Sequence, residues 1–79
     1  MLISKINYFI DDNNFLISYK NAKLYIENYR DLPKITASVI RVDHPDGYLL
    51  ITGNNLLITK LTFNSVLIDG VIKKIELRG

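Results

Sequence analysis

Cysteine is absent from this chain, so it can build neither a disulfide framework nor a thiolate metal site. Small secreted domains usually rely on such staples. A reducing, intracellular setting is therefore expected, and self-association is the remaining way to reinforce so small a domain. Histidine occurs once, at His44. One imidazole without cysteine is too little for a zinc site, and its place before Pro45 predicts a solvated turn side chain. No apolar run approaches the ~20 residues of a membrane-spanning helix. Met1 to Ile10 is interrupted by Ser4, Lys5 and Asn7, with no small-residue cleavage site after it, so it does not read as a signal peptide. A dense basic stripe is missing too. The net charge is +2, the basic residues are scattered, and Lys73, Lys74 and Arg78 form the one local cluster.

Catalytic constellations are equally scarce. Ser4, Ser18, Ser38 and Ser65 lie in no nucleophile elbow. Gly47 and Gly53 are separated by Tyr-Leu-Leu-Ile-Thr with no Gly-Lys-Ser/Thr following, so there is no phosphate loop. Asp11-Asp12-Asn13-Asn14 offers carboxylates, but Leu16 and Ala22 occupy the sixth and twelfth positions that a calcium loop reserves for glycine and glutamate. We expect no enzyme, no cofactor, no metal and no small-molecule substrate.

What the chain does have is alternation. Apolar residues make up 48% of it, enough for one small core in one domain spanning residues 1–79. Gly47-Tyr48-Leu49-Leu50-Ile51-Thr52-Gly53 alternates and is closed by glycines. Asn55 to Thr59, Ser65 to Gly70 and Val71 to Leu77 repeat the beat. Successive strand side chains point to opposite faces, so this spacing predicts strands with one face on a core. Glycines between them allow tight reversals. Earlier strands are expected over Leu2 to Ile10, Phe15 to Tyr19, Ala22 to Tyr29 and Ile35 to Asp43. Asp11 to Asn14, Lys20-Asn21, Arg30 to Pro33 and His44 to Gly47 serve as turns or loops. A phase change inside Ile35 to Asp43 predicts a β-bulge near Ser38 to Ile40, with a helix at Leu32 to Val39 as the alternative.

Turns are expected at Gly53-Asn54, at Phe63-Asn64-Ser65 and at Gly70. The sum is an all-β domain of about eight short, mostly antiparallel strands in a small sandwich, roll or barrel. A short parallel β-solenoid is the alternative.

Two features bear on binding. Asn28 shares the parity of Leu24 and Ile26, which predicts an inward amide bonded to the next loop, or a binding contact. Tyr25, Tyr29 and Arg30 come nearest to a base-stacking platform, so an OB- or Sm-like nucleic-acid-binding domain is the alternative function. Leu50, Leu57 and Leu67 lie on the parity opposite their apolar neighbours. Apolar residues on both faces call for a second layer, intramolecular or from another subunit, and a homo-oligomer is expected. Abundant isoleucine, asparagine and lysine accompany AT-rich coding sequence, as in a low-GC bacterium.

Three stretches carry a family resemblance: Leu24-Tyr25-Ile26-Glu27-Asn28-Tyr29-Arg30, then Gly47 to Ile58 with its glycine, alternating apolar, glycine order, then Val66 to Glu76 with its I-x-G-x-I-x-x-I spacing. In order and spacing they resemble the YabP/YqfC family of bacterial sporulation proteins, with Tyr29 and Arg30 where histidine and lysine are common. The resemblance implies a non-enzymatic protein of endospore formation in Firmicutes. It implies a location in the mother-cell cytoplasm or peripheral to a membrane, and protein-protein interaction with a membrane-protein partner. It carries no catalytic residues. Glu27, Asn28, Tyr29, Arg30, Gly47, Gly53 and Gly70 are the structural or interaction candidates.

Overall fold

The computed structural model describes residues 7–9 and 15–79. Its strands are β1 (Asn7–Phe9), β2 (Leu16–Lys20), β3 (Lys23–Glu27), β4 (Asp31–Ile35), β5 (Val39–His44), β6 (Gly47–Leu61) and β7 (Ser65–Arg78). All pair antiparallel in one seven-stranded sheet of order β1-β2-β3-β7-β6-β5-β4. The all-β class is as expected. No parallel pairing, and hence no solenoid, occurs among the described strands, nor any helix at Leu32 to Val39. Most of the expected first strand, and the turn at Asp11 to Asn14, lie outside the described residues.

The expected eight strands become seven because two reversals are bends and one bulge is a reversal. β6 runs through Gly53-Asn54 for 15 residues, and β7 runs through Gly70 for 14. Conversely, the phase change in Ile35 to Asp43 marks a hairpin turn. Thr36 Oγ1 accepts the N–H groups of Ser38 and Val39, and the Thr36 N–H donates to the Val39 carbonyl. The loop expected at Arg30 to Pro33 is largely strand β4. Pro33 fits there because β4 is an edge strand, where a missing N–H costs no ladder bond.

β6 and β7 are continuous, yet their core residues change parity. On β6, Leu49 and Ile51 are buried, then Leu56; on β7, Val66, Ile68 and Ile72 are buried, then Ile75. The register shifts between Thr52/Gly53, Asn54/Leu57 and Ile58/Lys60. Each shift is a bulge that inserts an unopposed residue and rotates the strand. The sheet thereby rolls over so that both halves face one core. β2, β3 and the adjoining parts of β6 and β7 supply Ile17, Leu24, Ile26, Leu56, Val66 and Ile68. β5 and the other parts of β6 and β7 supply Ile40, Val42, Leu49, Ile51, Ile72 and Ile75. Each such side chain contributes about 1.5–3 kcal/mol when fully buried.

Phe15 joins the two halves by stacking on His44, with ring centroids 4.5 Å apart. His44 is accordingly buried, not solvated as its turn position predicts, and its Nδ1 accepts the Asp46 N–H at 3.2 Å.

The fold line needs backbones in near contact. A Cβ on Gly53 would collide with the Val71 carbonyl, and one on Gly70 would lie 2.5 Å from the Asn55 carbonyl oxygen. Gly70 also has φ +122, a conformation side chains avoid. The turn between β4 and β5 braces the bend: Gly53 N–H donates to the Ser38 carbonyl and Leu56 N–H to the Ala37 carbonyl. We expect Gly70→Ala to lower unfolding stability by about 2 kcal/mol or more, read from urea midpoints. The β2–β3 turn gives the opposite sign. Asn21 and Ala22 both have positive φ, +54 and +61, as the type I′ geometry requires. Only Ala22 is ill suited to it, so Ala22→Gly should raise stability by roughly 0.5–1 kcal/mol in the same assay.

Candidate interaction surface

The β6–β7 turn is exposed and held by several hydrogen bonds. Thr62 N–H donates to the Ser65 carbonyl at 2.8 Å. Thr62 Oγ1 accepts from the N–H groups of Ser65 at 3.0 Å and Asn64 at 3.3 Å. Asn and Thr side chains bond the backbone locally, which is why a Thr-x-Asn-Ser run closes so tightly. A second element fixes the turn from outside. The Tyr29 hydroxyl donates to the Thr62 carbonyl at 2.7 Å, and the Asn28 N–H donates to the Asn64 carbonyl. At the centre of these bonds stands Phe63, 92% exposed, with Leu61 beside it 55% exposed. An aromatic ring on a backbone that is already immobile loses little entropy on docking, and aromatic anchors supply much of the free energy of protein interfaces.

The sequence candidates divide among three places. Glu27, Asn28 and Tyr29 converge on this apex: Glu27 pairs with Ser65, and the next two residues make the bonds just described. Asn28 does not continue the inward parity of Leu24 and Ile26, because β3 ends at Glu27 and Asn28 takes φ +67. Arg30 turns away, its N–H donating to the Asp43 carbonyl and its side chain exposed. Gly47 sits at the β5–β6 turn, where an added Cβ would meet the Arg78 carbonyl, and Gly53 and Gly70 form the fold line. Tyr29 packs against the core while Tyr25 lies on the outer face, so Tyr25, Tyr29 and Arg30 form no single stacking platform. Phe63 was hidden in the sequence by its polar turn; an aromatic between Thr62 and Asn64 was the available signal.

The outer face carries ordered charge. Arg41 Nε lies 2.8 Å from Asp43 Oδ1, and its guanidinium sits 3.9 Å above the Tyr48 ring. Along β7, Glu76 Oε2 lies 3.0 Å from Arg78 Nη2 and 3.4 Å from Lys74 Nζ. Lys23 pairs with Asp69 at 2.8 Å. A shallow depression of about 320 Å³ near that pair is lined by Ser18, Lys20, Asn21, Lys23, Tyr25 and Leu67, with no carboxylate or histidine among them. Among the described residues, no three of His, Cys, Asp and Glu gather to hold a metal, and no helix is long and apolar enough to cross a membrane.

The Arg78 hydrogen bond, aided by the charges of Arg78 and Lys74, holds the Glu76 carboxyl below its ordinary value, and raises the Arg78 guanidinium in turn. A carboxyl with a lowered folded value stabilises the fold above its ordinary titration range and loses that contribution as pH falls. The stability gap between wild type and Glu76→Gln should therefore be largest near neutrality and shrink as pH drops below 4.5, in urea titrations at several pH values.

Comparison with curated proteins and with solved structures found no match. The model of the YabP family, by contrast, matches residues 12–79, which takes in every strand from β2 onward. The family is not a known enzyme family. The chain belongs to the YabP family and is on that ground a sporulation-related protein.

Proposed function

We propose that this protein is a non-enzymatic docking component of the sporulation machinery. It works in the mother cell and engages a membrane protein through the apex around Phe63. One observation carries this reading: an almost fully exposed phenylalanine on a turn held by Tyr29 and Asn28. A soluble chain gains nothing in its own stability from such a ring, whereas a partner pocket would gain its full apolar area. The residues that brace the turn belong to one stretch of the family resemblance, Leu24 to Arg30, and so tie the apex to the family pattern.

Phe63→Asp separates folding from docking. Urea unfolding should change by no more than about 0.5 kcal/mol, because the ring contacts solvent. Capture of a membrane protein from sporulating cells by the tagged variant should fall at least about tenfold, with a matching loss of heat-resistant spores. Wild-type spore counts and undiminished capture with Phe63→Asp would remove the apex from the mechanism. Wild-type spore counts after deletion of the gene would remove the sporulation role itself.

A further inference from the structure

Among the described residues, the second half of β7 is an open edge. β3 meets β7 only over Ser65 to Asp69, and no described strand pairs with residues 71–78 on the side away from β6. The backbone direction there follows from the β5–β6 turn. A two-residue turn closes on His44 and Gly47, so that pair exchanges hydrogen bonds, and by alternation so do Val42/Leu49 and Ile40/Ile51. Tyr48 and Leu50 therefore bond across to Arg78 and Glu76. Ile75 and Leu77 are left with N–H and C=O groups aimed outward. The β4 edge is blunted. β4 contains Pro33 and a register irregularity. The β7 edge has no proline, and Val71 and Leu77 are 56% and 45% exposed along it.

We propose that this edge pairs antiparallel with the same edge of a second copy, extending the sheet across a two-fold axis. The occupant is a second copy because the charges are self-complementary. The outer face of the edge reads Lys74, Glu76, Arg78: positive, negative, positive. A two-fold through Ile75 sets Lys74 of each copy opposite Glu76 of the other. A two-fold through Leu77 sets Glu76 opposite Arg78. Both registers also place outward-facing backbone groups opposite each other. A two-fold through Lys74, Glu76 or Arg78 sets identical charges face to face, which disfavours pairing. The charge order thus selects registers as well as partner. This interface is independent of the apex, which lies at the far end of β7.

The test is mass in solution combined with charge reversal. Wild type at about 100 µM should show twice the 9.1 kDa chain mass by light scattering. Its Ile75 and Leu77 amides should exchange faster on dilution. Glu76→Lys should be a folded monomer by the same measurement and by circular dichroism. Lys74→Glu/Glu76→Lys/Arg78→Glu restores alternation with inverted signs, so it should dimerise again with itself. Phe63→Asp should remain a dimer. A wild-type monomer, or a dimer that leaves Ile75 and Leu77 unprotected, would overturn the proposal. So would a dimer that Glu76→Lys leaves intact, or an inverted variant that stays monomeric.

Discussion

The near contact of two backbones at Gly53 and Gly70 is the constraint on which the rest of the molecule depends. A flat sheet of these strands would bury one face against nothing. The bend lets β6 and β7 each serve both halves, so that one set of isoleucines, leucines and valines closes on itself. Only residues without a Cβ can sit where a carbonyl of the crossing strand approaches so closely. Asn55, at φ +53 beside Gly70, completes the bend. The N–H groups displaced from the ladder by this distortion are taken up by the carbonyls of Ser38 and Ala37. A small chain without disulfides thus reaches a single core by folding one sheet instead of packing two.

Much of this was legible from spacing. The two-residue alternation marks the parity that is buried, Leu24 and Ile26 on β3, Leu49 and Ile51 on β6, and Val66 and Ile68 on β7. What spacing could not separate was a reversal from a bend. A glycine between two alternating runs serves a hairpin and a bulged strand equally well, and the choice depends on what lies across the ladder. The same ambiguity ran the other way at Thr36 to Ser38, where a side-chain hydroxyl closes a turn without glycine or proline. Pro33 signalled a loop because proline breaks ladders, but that rule is weak at an edge. The neighbours of His44 in sequence mark only a turn, whereas its burial comes with Phe15, distant in the chain.

The interaction candidates show the same division between local and distant causes. Glu27, Asn28 and Tyr29 attract notice in the sequence, yet their visible contacts in the fold are with another turn, and they position Phe63. The glycines of the family pattern shape the sheet. The aromatic apex and the charged strand of residues 71–78 lie at opposite ends of the β6–β7 ribbon. The two places share no residues, so occupancy of one as proposed would leave the other accessible.

Both halves of the core belong to one cooperative sheet, because β6 and β7 pass unbroken through the fold line. Native-state amide hydrogen exchange tests it directly. The slowest amides of Leu24 and Ile68 in one half, and of Val42 and Ile51 in the other, should open with a single free energy equal to that of global unfolding. Two distinct opening free energies, one for each side of Gly53 and Gly70, would contradict it.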